Sequence, residues 1–201
     1  MRMTTSYDAP RRTRPGLGRG LVAMIGLLVV MWVLELVDQA TRNSLDPLGI
    51  EPLSTESLDN VLWAPWLHGS FAHLASNSLP FLVLGALVVM DGWRRWLVTT
   101  LVVVVASGAA VWFLSPPGSI TLGASGVVFG WMTYVMLRGF WTRSPGQIAT
   151  GVVLFLFYGG MLWGVLPSAP GISWQAHLGG AVGGVVAASL ARPSRASASS
   201  W

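Results

Sequence analysis

Six apolar runs dominate this chain, each close to the roughly 20 residues that a helix needs to cross the hydrocarbon core of a bilayer. They cover Leu21–Val37, Phe71–Met90, Trp96–Leu114, Ile120–Leu137, Ile148–Leu166 and Ile172–Ala191. Inside hydrocarbon a backbone must satisfy its own N–H and C=O groups, so runs of this length are expected to be helices. The expected fold class is therefore all-α: a polytopic membrane protein built as a bundle of six transmembrane helices. Composition points the same way, since 53% of the 201 residues are hydrophobic and only 10% are charged, too apolar a balance for a soluble domain. The bundle is expected to occupy residues 21–191, between polar tails at 1–20 and 192–201. An arginine-rich start before an apolar run also suits a signal peptide, but no small-residue cleavage site closes the run before Glu35 and Asp38, so the first span is expected to remain.

The arginines set the expected orientation. Arg2, Arg11, Arg12, Arg14 and Arg19 precede the first span, Arg94 and Arg95 separate the second from the third, Arg138 and Arg143 the fourth from the fifth, and Arg192 and Arg195 follow the sixth. Only Arg42 falls on the other side. Positive charge collects in the cytoplasm, so both termini are expected there, with the long connection 39–70 and the short ones 115–119 and 167–171 outside. The net charge of +4 thus serves membrane orientation, and no nucleic-acid partner is expected. Tryptophans such as Trp63 and Trp66 suit a first outer connection lying partly in the interface.

A polar side chain in hydrocarbon is costly and is a functional candidate for that reason. Several gather at one depth. His73 and Asn77 are four residues apart at the outer end of the second span and share a face. Ser125 stands several residues into the fourth span and His177 several residues into the sixth, both on the order of 5 to 9 Å below the outer boundary. A serine and a histidine at one level are the minimum for acyl transfer, the imidazole taking the hydroxyl proton and returning it to the leaving amine. His73, Asn77 and backbone amides at the start of the fourth span, Gly123 and Ser125 among them, are candidate oxyanion donors. No Asp or Glu follows Asp91, which sits at the cytoplasmic end, so the chemistry would be that of a dyad.

Each of these residues also has a purely structural reading. Ser125, Gly126 and Gly130 form a small-residue face of the kind that lets membrane helices approach closely, and Asn77 or His177 suit interhelical hydrogen bonding. With no cysteine in the chain and with His68 and His73 five residues apart, no metal site is expected, and no cofactor. "GASG" also fails as the nucleophile elbow of soluble hydrolases, because its context is helical.

The motifs together resemble those of the rhomboid intramembrane serine proteases, over about Leu21 to Ala191. "GASG", Gly123–Gly126, is similar to the family's GxSG motif, which implies Ser125 as nucleophile. "AHLGGAVGG" resembles the family's last helix, implying His177 as general base and Gly180 and Gly184 as the face packed against Gly126 and Gly130. "HGSFAHLASN" resembles its second helix, with His68 structural and His73 and Asn77 at the oxyanion site. Phe129 takes the place of an aromatic, often tyrosine in relatives, that stacks on the base. The family's Trp-Arg pair of the first outer loop is missing between Gln39 and Ser70, and with no further span or soluble domain expected, the resemblance is to the minimal six-helix form.

The resemblance implies hydrolysis of a peptide bond in or next to a transmembrane segment of another membrane protein. The implied substrates carry helix-breaking residues and a small side chain at the cleaved bond. Entry would be lateral, past a fifth span whose outer half is loosened by Gly159 and Gly160. Arginine without any lysine suits a bacterial source, and the expected location is the bacterial inner membrane with the site open to the outside. Two other classes compete. A catalytically silent relative that escorts membrane clients would lack the serine or the histidine. A channel would carry polar residues through the full depth, whereas 127–137 and 182–191 are nearly free of them.

Overall fold

The computed structural model of the chain describes residues 16–167 and 171–191. Helices stand at all six apolar runs: α1 (Leu17–Ala40), α2 (Phe71–Val89), α3 (Trp93–Leu114), α4 (Ser125–Thr142), α5 (Pro145–Tyr158, continued as a 3-10 helix over Gly159–Val165) and α6 (Trp174–Ser189). Most of the expected tails lies outside the described residues, as do most of the arginines placed in them and the greater part of the connection 167–171. Three helix starts follow from local sequence. The side chains of Ser70, Ser144 and Ser173 accept backbone N–H bonds from the first turns of α2, α5 and α6, and Pro145 occupies the opening turn of α5, where its missing N–H costs nothing.

The protein is an all-α, polytopic membrane protein. Four of its helices, α1, α2, α3 and Pro145–Val165, are long and apolar enough to cross a bilayer. α4 and α6 are shorter, at 18 and 16 residues, and their sequences hold more Gly, Ser, Thr and Trp. Their position accounts for this, because α4 is buried without a break from Gly126 to Met136, and such a helix faces protein on all sides. Its most extensive packing is against α6, and α6 packs almost as extensively on α3. α1 and α5 lie outermost and expose Val22, Val29, Leu36, Leu156 and Phe157, a surface that only lipid would cover.

Two expected boundaries shift. The fourth apolar run was expected to be helical from Ile120, but the helix starts at Ser125 and continues to Thr142. Residues 120–124 are not α-helical: Ile50 N–H donates to the Thr121 carbonyl at 2.8 Å and Thr121 N–H returns the bond to Ile50 at 3.0 Å, and Gly123 and Ala124 then turn the chain into the helix. Ser125 is therefore the first helical residue, not one several residues inside. The fifth run loses α-helical form after Tyr158.

The connection 41–70 is a series of short helical turns pinned to the bundle. Trp112 Nε1 donates to the Ser54 carbonyl at 3.0 Å, and Asn60 Nδ2 donates to the Gly49 carbonyl at 2.9 Å. At the opposite end, Asp91 in the α2–α3 turn accepts from Tyr134 Oη at 2.9 Å, from Gln147 Nε2 at 3.1 Å and from the Arg138 guanidinium. Arg138 was expected in a cytoplasmic connection, but it lies within α4, is 4% exposed and is paired with a carboxylate. It is thus a strut between elements rather than a free loop charge.

Close helix contact is made by glycine. A Cβ on Gly180 would run into the Gly126 carbonyl, one on Gly184 into the Gly130 carbonyl, and one on Gly130 into Val103 and the Gly180 carbonyl. Backbones this near gain dispersion contacts that any side chain would remove. Besides this face, which the glycine spacing predicts, a second one that it does not, Gly179 and Gly183, lies against Ala106, Ser107 and Val103 of α3.

Candidate active site

Ser125 opens α4 and His177 is in the first turn of α6. The glycine contacts bring the two helices together at this level, and His177 Nε2 lies 2.9 Å from Ser125 Oγ. The other ring nitrogen, Nδ1, is 2.9 Å from the Gly164 carbonyl oxygen. A carbonyl can only accept, so Nδ1 carries the proton; in the neutral ring Nε2 is then left to accept from the serine hydroxyl. Phe129, one turn after Ser125, stacks on the imidazole with centroids 4.0 Å apart and planes within 7°. Ser107, which no motif in the sequence marks, donates to the Ala176 carbonyl at 2.9 Å and ties α3 to the start of α6 beside His177.

Ser125, Phe129 and His177 line a cavity of about 700 Å³ together with His73, Asn77, Gly123 and Met161. Asn77 is 7% exposed, and its Nδ2 has no hydrogen-bond partner among the described residues, which leaves a buried donor free at the cavity wall. The imidazole of His73 sits against Gly123: a Cβ there would stand 2.6 Å from His73 Cε1, and the φ of 120° likewise favours glycine. Gly123, however, is not a free oxyanion donor as expected, because its N–H already donates to the Ala64 carbonyl at 2.9 Å. The first-turn amides of α4, beginning with Ser125, occupy the position that has no intrahelical acceptor.

His68 precedes α2 and shapes the loop before Ser125. Its Nε2 accepts the Ala124 N–H at 3.3 Å, and its ring meets His73 edge-on with centroids 5.0 Å apart. Burial, helped by the neighbouring His73, pushes its pKa down to about 3, so it stays neutral as this acceptor role requires. His68 stands outside the helix, so its five-residue separation from His73 does not turn the two rings apart. Among the described residues no group of three or more His, Cys, Asp or Glu is arranged to hold a metal ion.

Residues 56–194 match the family model described as the rhomboid domain. The chain belongs to the rhomboid family. An uncharacterized protein of Mycobacterium tuberculosis is 37% identical to this rhomboid over 185 residues, covering 88% of this chain and 77% of the relative. One of Mycobacterium leprae is 40% identical over 179 residues, covering 85% of this chain and 71% of the relative. This rhomboid's serine, histidine and free asparagine donor all fall inside the matched segment.

Proposed function

We propose that this rhomboid is an intramembrane serine endopeptidase of the minimal six-span form. It hydrolyses a peptide bond in or next to a transmembrane segment of another membrane protein. The observation that carries the reading is the 2.9 Å contact between Ser125 Oγ and His177 Nε2 at the wall of the cavity that Asn77 and His73 also line. Ser125 Oγ attacks the scissile carbonyl carbon while its proton passes to Nε2. The negative charge that develops on the carbonyl oxygen is held by the Ser125 amide, Asn77 Nδ2 and His73, aided by the positive end of α4. Collapse breaks the C–N bond, and Nε2 gives its proton to the departing amine. A water then attacks the acyl ester, loses its proton to Nε2 and releases the new carboxylate as Oγ regains a proton.

The six apolar helices span the bilayer, α4 and α6 within a sheath formed by the others. Both termini face the cytoplasm and the cavity opens on the far side. Substrate enters from lipid beside α5, whose Leu156, Phe157 and Trp163 are the most exposed apolar residues near the cavity's end of the bundle. A substrate helix hides its amides in hydrogen bonds, so a segment with helix-breaking residues yields most readily. The test is incubation of purified protein in detergent with a single-span model substrate. Wild type should cleave it and Ser125→Ala should not; equal cleavage by both would overturn the proposal.

A further inference from the structure

The hydrogen bond from His177 Nδ1 to the Gly164 carbonyl joins the base to Gly159–Val165, a segment with no fully buried residue. α5 proper is anchored along its length: Gly151 lies against the Met136 backbone, Gly139 of α4 against Ile148, and Gln147 donates to Asp91. After Tyr158 the character changes. Gly159–Val165 forms a 3-10 helix of seven residues, longer than the three or four at which such helices usually stop, and a run of this kind often marks a hinge. None of its residues is fully buried, Trp163 is 73% exposed, and three of the seven are glycine. Gly164 itself meets the site through its missing side chain, since a Cβ there would stand 2.9 Å from Phe129 Cζ and 3.3 Å from His177 Nδ1.

We propose that Gly164 is a positioning residue whose backbone carbonyl fixes His177 in the Nδ1–H tautomer, so that the base is competent only while Gly159–Val165 is docked. The inference rests on the catalytic reading of Ser125 and His177. A free imidazole in water prefers its proton on Nε2; in that form Nε2 points a donor at Ser125 Oγ and cannot take the hydroxyl proton. When the segment swings aside to admit a substrate, the acceptor leaves with it and the base is disarmed. Its return restores the Nδ1–H tautomer and the acceptor at Nε2. Entry and hydrolysis are thereby separated in time by one backbone carbonyl.

The test uses full-length protein labelled with 15N-histidine, in which three histidines give a readable nitrogen spectrum. Wild type should show His177 protonated at Nδ1. Replacing Val165 by its α-hydroxy acid makes the bond after Gly164 an ester and weakens that carbonyl as an acceptor without altering a side chain. This variant should lose the Nδ1–H signature. Its turnover of a single-span substrate and its labelling by a small water-soluble fluorophosphonate should both fall about tenfold, as expected for a weakened bond to a group that becomes charged. The same ester placed before Trp163, which weakens the Leu162 carbonyl, should do neither. Gly164→Ala, which pushes the segment off Phe129 and His177, should reproduce the loss. A segment that acts only as a gate would alter peptide cleavage and spare the labelling, because the probe arrives from water. Wild type that cleaves but carries its proton on Nε2, or an ester variant labelled at the wild-type rate, overturns the inference alone. Wild type that neither cleaves nor labels overturns the catalytic reading and this inference with it.

Discussion

Replacing Asp91 with alanine should destabilise the bundle far more than a change at a helix end would ordinarily do. Asp91 is the acceptor for Tyr134 Oη and Gln147 Nε2 and the ion-pair partner of Arg138, and thereby joins the α2–α3 turn to α4 and α5. The side chains of Arg138 and Asp91 are 5% and 11% exposed, so the guanidinium left behind would be a buried charge beside the neutral Leu87 carbonyl and Tyr134 ring. Breaking a buried pair by removing one partner costs about 3–5 kcal/mol. Much of that is the penalty of the stranded charge. Removing both charges in Asp91→Ala/Arg138→Met should therefore cost less than Asp91→Ala alone, a coupling that separate contributions would not produce. Equilibrium unfolding in mixed micelles, for wild type, both single variants and the double variant, measures it. An Asp91→Ala loss under about 1 kcal/mol, or a double variant at the sum of the singles, would refute the argument that Asp91 holds a buried charge in place.

Three further outcomes follow from the site. Asn77→Ala should lower turnover about ten- to a thousandfold, as loss of one oxyanion donor does, with little change in melting temperature, since Nδ2 has no structural partner to lose; unchanged turnover with a lowered melting point would assign Asn77 to packing instead. His68 takes up its proton only near pH 3 in the folded protein but near 6.5 when unfolded, so its contribution to stability is complete above pH 6.5 and is lost as pH falls toward 3, by up to about 1.4 kcal/mol per pH unit. Unfolding midpoints measured over that window should fall for wild type and fall less steeply for His68→Gln; parallel curves would contradict this. Gly180→Ala places a methyl on the Gly126 carbonyl, and the separation it forces should cost about 1–3 kcal/mol and remove activity, read as turnover and melting point on one preparation.

How far the sequence revealed this arrangement depends on what kind of atom does each job. Ser125, His177, His73 and Asn77 were conspicuous because a polar side chain in an apolar run is costly, and all four line one cavity. The spacing of Gly126, Gly130, Gly180 and Gly184 likewise carried a signal, because small residues one turn apart mark a face. Backbone groups carry none: the acceptors at Gly164, Ala64 and Ala176 depend on chain path, and no residue type announces them. Hydropathy also could not separate the non-helical residues 120–124 from the helix that follows, since both are apolar and the pairing of Thr121 with Ile50 lies in chain path. Arg138 misled for a related reason. Read as a loop charge, it is buried against Asp91, 47 residues earlier, a long-range pairing that a local reading does not contain.

Covalent capture asks whether Ser125 is a nucleophile activated by His177. The full-length protein, folded in detergent, is incubated with a fluorophosphonate and digested, and the site of the adduct is read by mass spectrometry for wild type, His177→Ala and Ser125→Ala. A single adduct on Ser125 is expected in wild type and almost none in either variant, although both stay folded. The double variant should be no worse than either single, since nucleophile and base act as one unit. An adduct on another residue, or a Ser125 adduct formed at the wild-type rate without His177, would contradict this.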